Sequence, residues 1–149
     1  MKIFVIVDHR VGNRTILGVV ERWKEEGHKV HVDMYYDPEK AKNWADVILC
    51  DYIQGGTCDL YRDIDNIDVP VYVRGIDIDL YYNHFMGLDL NRFKGLMFIN
   101  DYMRQYCVDK YETVNHKITI PINTVPVELR QKTSSIWIEV QNIASVLVG

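Results

Sequence analysis

The chain begins with a continuous apolar run, which is followed by a segment with apolar residues at helical spacing. Residues 2–7 are apolar after Lys2 and rich in β-branched side chains, a pattern typical of a strand buried on both faces of a parallel sheet. After a polar break, helical spacing continues until Gly27 provides a C-terminal stop. Residues 28–34 then alternate polar and apolar side chains, as a second strand does. This order predicts a strand–helix–strand unit in which the opening run is a central strand.

The same alternation continues along the chain. Further strands are predicted at residues 46–51, 69–75, 95–100 and 117–121. Helices are predicted between them, one capped by Thr57 and carrying Leu60 and Ile64, and another opening near Asp101. Alternating strands and helices predict an α/β fold. We expect a doubly wound, mostly parallel, Rossmann-like sheet of about six strands with helices on both faces.

The C-terminal part of the chain, residues 128–149, has a different pattern. A polar stretch there is followed by apolar residues at helical spacing, which predicts a helix that packs Val140, Ile143 and Leu147 on the sheet domain. A linker that leads into a further domain is the alternative. We therefore divide the chain into a Rossmann-like domain, residues 1–127, and a linker or C-terminal helix. Exposed apolar surface on such a segment also predicts a homodimer formed through it.

Composition restricts the compartment and the partners. The chain has 149 residues, of which 48% are hydrophobic and 26% charged, as in an ordinary globular domain. The net charge of −4 and the pI near 5.7 lack the basic footprint of nucleic-acid binding, so we expect no such partner. Three cysteines without CxxC spacing favour free thiols and a cytoplasmic protein. We expect no signal peptide and no transmembrane segment, because no apolar run approaches about 18 residues.

The loops after the predicted strands carry the candidate binding residues. In open α/β sheets, ligands bind outside the carboxyl ends of the strands, where the strand order reverses. After the first strand, a helix N-terminus coincides with basic and polar side chains, a combination that attracts anions. The candidate substrate-binding residues from these loops are His9, Arg10, Gly12, Asn13, Arg14, Gln54, Arg74, Asp77, Asn100 and Tyr102.

Two interpretations of these loops remain open. Arg10, Arg14 and Arg74 are expected to lie near enough to share one anion, whereas ordinary solvated loop residues would produce the same pattern. Gly55 and Gly56 allow either a turn or a close backbone approach to a ligand. The chain contains no GxGxxG fingerprint, which weakens the case for a nicotinamide or flavin dinucleotide. It also contains no P-loop and no GxSxG elbow.

Metal and nucleophile patterns are weak. D-x-D strings at residues 63–65 and 77–79 resemble those that hold a divalent ion on a pyrophosphate, but coincidence explains them in an Asp-rich chain. Four histidines share no metal-ligand spacing, and we predict them at the surface or at strand edges: His28, His31, His84 and His116. Cys50 and Cys107 lie on apolar segments, where packing is the expected role. We expect no metal site and assign no catalytic residue.

Short segments spread over residues 1–127 carry a family resemblance. In chain order they are the opening strand at 2–7, the Gly-His-x-Val join at 27–30, Ala-Asp-Val-Ile at 45–48, Pro-Val-x-Val-x-Gly at 70–75, the strand and helix at 96–103, and the Ile-Pro segment at 117–123. With this order and spacing the chain resembles the N-terminal, acceptor-side domain of a GT-B fold, family 4-like glycosyltransferase.

The resemblance implies a lobe of a hexosyltransferase. Such an enzyme transfers a sugar from a nucleotide-sugar donor to a carbohydrate or lipid-linked acceptor, and it needs no cofactor besides the donor. In the resembled family a second lobe holds most of the donor, so a single lobe is incomplete for catalysis. A non-catalytic ligand-binding or assembly module with the same fold is the first alternative. An unrelated small doubly wound nucleotide-binding protein is the second.

Overall fold

One parallel β-sheet organises the protein. The computed structural model describes residues 1–7, 14–75, 79, 84, 87–98, 101–111 and 118–119. The strands are β1 (Lys2–Ile6), β2 (Lys29–Asp33), β3 (Val47–Asp51), β4 (Val71–Arg74), β5 (Gly95–Met97) and β6 (Ile118–Thr119). All neighbouring strands pair in parallel, in the order β2-β1-β3-β4-β5-β6. The predicted parallel α/β sheet is therefore confirmed, and β1 is an interior strand with neighbours on both sides.

The number of full strands is smaller than expected. The first five strands have three to five residues each, whereas β6 has only two. The sequence predicts a strand over residues 117–121, but only Ile118 and Thr119 of this segment belong to the described part of the chain. The described sheet thus has five strands of ordinary length and a short sixth pairing along β5.

Helices cover both faces of the sheet. They are α1 (Arg14–Glu25), α2 (Gly55–Arg62) and α3 (Asp101–Tyr111), with a π-helix at Lys40–Trp44 and 3₁₀ turns at Ile64–Asn66 and Leu90–Arg92. On one face, α1 packs Ile16 and Trp23 against alternate side chains of β1 and β3. On the other face, α2 and α3 pack Leu60 and Cys107 against the remaining alternate side chains. The period-two alternation of each strand therefore feeds two separate cores.

The strand order reverses between β1 and β3. The chain first moves from β1 to β2 and then crosses back over β1 to β3, β4 and β5. Right-handed connections place helices on opposite faces before and after such a reversal, which explains why, among the described helices, α1 packs on the face opposite α2 and α3. In doubly wound sheets, ligands bind at the carboxyl ends of the strands on either side of such a reversal, which here are β1 and β3.

Gly27 ends α1 as the sequence predicts. Its φ of +88° lies in the left-handed region. The Gly27 N–H donates to the Lys24 carbonyl and the His28 N–H donates to the Trp23 carbonyl, at 3.0 and 2.9 Å. These two bonds form a Schellman motif, which satisfies the last carbonyls of a helix and favours glycine. The turn directs the chain from α1 into β2.

The start of α2 differs from the prediction. Thr57 is not the N-cap, because the helix begins two residues earlier at Gly55 and Gln54 occupies the N-cap position. The Thr57 hydroxyl instead donates to the Tyr52 carbonyl at 2.7 Å. Ile64, predicted on the same helix, lies in a separate 3₁₀ turn. Gly55 and Gly56 therefore belong to the first turn of α2 rather than to a loop before it.

Two predictions concern segments outside the described residues. One is the C-terminal helix or linker over residues 128–149, and the other is the homodimer formed through it. Both lie outside the residues that the structure describes. Within that described part, none of the helices combines the length and the apolar character required to cross a bilayer.

Candidate functional site

A buried ion pair closes the carboxyl ends of β3 and β4. Asp51 and Arg74 are the last residues of their strands and stand directly opposite each other in the parallel register. The Arg74 Nε donates to Asp51 Oδ1 at 2.5 Å, and the two side chains are only 5% and 0% exposed. Burial of two charges is tolerated when they pair in this way. The guanidinium is therefore held by a carboxylate at the same end of the sheet. We call this end, where β3 and β4 finish, the carboxyl edge.

Tyr52 continues this edge in a strained conformation. Its φ of +70° is unusual for a bulky residue and marks stored backbone strain. The Tyr52 N–H donates to the Arg74 carbonyl at 2.9 Å, and Arg74 Nη2 donates to the Tyr52 hydroxyl at 3.2 Å. The guanidinium also lies over the ring, 5.1 Å from its centroid. These contacts, with the Thr57 bond, fix the turn between β3 and α2.

A second buried carboxylate lies beside the same turn. Asp79 is fully buried, and its Oδ1 accepts the Ile53 N–H at 3.3 Å. The His84 Nδ1 lies 2.9 Å from the same oxygen, and the His84 N–H donates to the Asp79 carbonyl at 2.8 Å. The His84 side chain is 29% exposed. Asp79 is therefore a buried carboxylate beside the β3 exit, and His84 is partly exposed, in keeping with its predicted position at the surface.

The structure places only some of the predicted site residues at this edge. Arg74 lies at the centre of it, and Gln54 lies two residues beyond Tyr52 at the start of α2. Arg14 is the first residue of α1, and its side chain is outside the described part. The predicted residues outside the described part altogether are His9, Arg10, Gly12, Asn13, Asp77 and Asn100. An anion shared by three arginines stays a prediction.

Tyr102 belongs to a different surface. It lies on α3 with 71% of its surface exposed and borders a groove of about 470 Å³. Its ring centroid is 6.2 Å from that of Tyr106, and Lys110 Nζ donates to the Tyr106 hydroxyl at 2.6 Å. Gln105 and Asp109 complete the lining and hydrogen-bond to each other at 2.8 Å. We call this set the α3 aromatic face.

The cysteines of the described part have structural positions. Burial raises the pKa of the Cys50 thiol to about 12, and it raises that of Cys107 to about 12 as well. Both thiols stay protonated near neutral pH and pack in the core below α2 and α3. Across the described residues, no three His, Cys, Asp or Glu side chains are grouped so that they could hold a metal ion.

Sequence reasoning missed four members of the edge: Asp51, Tyr52, Asp79 and His84. Asp51 carried a usable signal, because a carboxylate next to a buried apolar strand is costly to bury without an oppositely charged partner. The Asp79–His84 contact has no comparable signal, since their five-residue spacing matches no common metal or catalytic motif. Only the bond from the Ile53 N–H to Asp79 Oδ1 links the pair to the turn after β3.

Comparison of the chain with protein-family models, curated proteins and solved structures gives no match.

Proposed function

We propose that this chain is the acceptor-side lobe of a glycosyltransferase that uses a nucleotide-sugar donor. The observation that carries the proposal is the reversal of strand order between β1 and β3, with polar side chains from the exits of β3 and β4 gathered beside it. Doubly wound sheets bind small polar ligands at reversals of this kind. The same edge is the acceptor-facing wall of the resembled lobe.

The segments that carry the family resemblance support this proposal through their positions. The Gly-His-x-Val join falls on the turn between α1 and β2, where Gly27 has its positive φ. Asp46 of the Ala-Asp-Val-Ile segment precedes β3, and its Oδ2 accepts the Lys2 N–H at 2.6 Å. Pro70 and Gly75 of the fourth segment flank β4. Most of these residues lie at the amino ends of the strands, where they fix how β1, β3 and β4 align, and Gly75 lies at the carboxyl end of β4.

A single lobe supplies one wall of the transfer cleft. Departure of a nucleoside diphosphate requires donors aimed at the charge that develops on it, and the resembled enzymes provide most of these from a second lobe. The described edge instead holds its one guanidinium in a buried ion pair with Asp51. We therefore expect this chain to bind a hydroxyl-rich acceptor and not to transfer sugar by itself. A cytoplasmic location belongs to the same proposal.

Titration of the ¹⁵N-labelled chain with carbohydrates tests this function. Methyl glycosides and a disaccharide are added in one series, and a nucleotide-sugar and inorganic phosphate in two others. We expect saturable amide shifts at Tyr52, Gln54 and Gly75 with the carbohydrates, at millimolar affinity because few groups are buried. Shifts confined to β2, or no saturable shift with any carbohydrate, would contradict the proposal.

A non-catalytic assembly module is the second candidate, and the α3 aromatic face favours it. An exposed tyrosine such as Tyr102 is a common anchor of protein interfaces. The variant Tyr102→Ala separates the two candidates, because Tyr102 lies on this face and not at the exits of β3 and β4. An unchanged carbohydrate titration in this variant supports the glycosyltransferase lobe. Loss of a concentration-dependent oligomer in the same variant, without any carbohydrate binding, supports the assembly module.

A further inference from the structure

The outer side of β2 is a sheet edge that none of the described strands covers. β2 comes first in the strand order and, among the described strands, pairs with β1 alone. The Lys29 N–H and the Asp33 carbonyl each form a 2.9 Å hydrogen bond with a residue that flanks β1. Backbone groups alternate in direction along a strand, so those of Val30 and Val32 point away from β1. We call this outward side the β2 edge.

The side chains of β2 make this edge complementary to a second copy of itself. Lys29, His31 and Asp33 share one face of the strand, whereas Val30 and Val32 pack on the α1 side. In an antiparallel pair with His31 on the two-fold axis, Lys29 stands opposite Asp33 of the second copy. Val30 then stands opposite Val32 of the second copy, and these are the residues with outward backbone groups. The valines therefore form the hydrogen-bonded pairs, and the charged residues form the non-hydrogen-bonded pairs with the closest side chains.

The charged groups at the two ends of β2 are placed to make these pairs. Lys29 is exposed, and no carboxylate of the described residues lies within ion-pair distance of it. Asp33 is 39% exposed, and its Oδ1 accepts the Met34 and Tyr35 N–H groups at 2.7 and 3.2 Å. Its Oδ2 lies 3.8 Å from His31 Nε2. Edge strands often carry charges that repel another strand, but opposite charges at symmetric positions attract a second copy.

Apolar side chains beside the β2 edge add surface that a second copy would cover. Met34 and Tyr35 directly follow β2 and are 40% and 70% exposed. Met1, whose carbonyl accepts the Lys29 N–H, is 43% exposed. A pair of five-residue strands buries far less than the roughly 800 Å² per partner of a standard interface. We therefore expect a weak, reversible dimer to which this apolar margin contributes.

We propose that the β2 edge is a docking surface for a second copy of this chain, with two antiparallel β2 strands joined about a two-fold axis at His31. The interface is isologous, as in most symmetric dimers. The charge pairs select the register, because a shift of two residues in either direction separates Lys29 from Asp33 of the second copy. This surface is distinct from the α3 aromatic face, and carbohydrate binding is not required for it.

Amide hydrogen exchange at increasing protein concentration tests the strand pairing. The ¹⁵N-labelled chain is measured from about 10 µM to about 1 mM, and its oligomeric state is followed by sedimentation. We expect exchange of the Val30 and Val32 N–H groups to slow by about tenfold or more as the dimer forms. The N–H groups of Lys29 and His31 already face β1 and should change less. A chain that stays monomeric over this range, or a dimer without slower exchange at the two valines, overturns the inference.

Charge reversal tests the register of the pair. Lys29→Glu places two acidic residues on each β2 edge, and Asp33→Lys places two basic residues there. We expect each variant alone to dimerise about tenfold more weakly than the wild-type chain. An equimolar mixture restores opposite charges at both positions and should form a heterodimer of near wild-type affinity. Lys94→Glu is the matched control, because Lys94 is exposed and precedes β5, near the other end of the strand order.

The outcomes distinguish the β2 edge from other surfaces. A dimer that survives both reversals, or that is weakened equally by Lys94→Glu, overturns the inference. A dimer lost in Tyr102→Ala but not in Lys29→Glu assigns the contact to the α3 aromatic face instead. Amide spectra show whether each variant folds. If Asp33→Lys does not fold because its carboxylate no longer caps the turn after β2, the comparison of Lys29→Glu with Lys94→Glu decides.

Discussion

The substitution Gly56→Ala would test how α2 packs on the sheet edge. A Cβ atom at residue 56 would lie 2.6 Å from Ile6 Cγ2 and 2.8 Å from the Met34 carbonyl oxygen. Both distances are shorter than 3.0 Å, a separation below which Cβ atoms essentially never approach other heavy atoms. Ile6 is a β-branched residue on an interior strand and the second contact is backbone, so neither neighbour can move away cheaply. We expect the helix to be displaced from β1.

Gly55→Ala is the matched control in the same helical turn. A Cβ atom at residue 55 meets nothing within 4 Å. Alanine reduces the conformational freedom of the unfolded chain and stabilises a helix by roughly 0.5–1 kcal/mol relative to glycine. This gain applies to both variants, so their difference isolates the steric cost at Gly56. Overpacking of this kind costs about 1–3 kcal/mol.

Urea and thermal unfolding of the two variants measure that difference. In a domain of this size, each kcal/mol changes Tm by about 2–4 °C. We expect Gly55→Ala to unfold at or slightly above the wild-type temperature and Gly56→Ala to unfold several degrees below it. Equal midpoints for the two variants, or a more stable Gly56→Ala, would show that α2 does not approach β1 and Met34 as described.

Three further predictions concern charged and thiol groups. Arg74→Met leaves the buried Asp51 carboxylate without its ion-pair partner and should cost about 3–5 kcal/mol in urea unfolding, whereas adding Asp51→Asn should recover much of the loss. Hydrogen bonds from a lysine, a tyrosine and an asparagine side chain lower the pKa of Asp63 to about 2. The contribution of Asp63 to stability should therefore be complete above about pH 4 and be lost as the pH falls toward 2, and Asp63→Asn should flatten that part of the stability profile. Half-buried Cys58 should react with iodoacetamide well before fully buried Cys50, and equal labelling rates in the folded chain would contradict the described packing.

Local patterns were sufficient for most of the fold. The runs at β1 and β3 are apolar on both faces, and strands of this type occur in parallel sheets covered by helices. Gly27 marked the end of α1 because a helix that stops in a left-handed turn selects glycine. Thr57 was misassigned, because its hydroxyl can cap a helix or bond an earlier carbonyl, and packing of Gly56 against β1 decides where α2 begins.

The amino-acid sequence by itself determined which segments become strands and helices and that the sheet is parallel, because these properties depend on side-chain periodicity over a few residues. The tertiary structure alone decided the partners at the carboxyl edge. Asp51 meets Arg74 because β3 and β4 align in one register, and a shift of one residue would send each side chain to the other face. His84 reaches the edge because Asp79 bonds to Ile53. Contacts between residues more than twenty positions apart depend on strand order and register, which no local pattern contains.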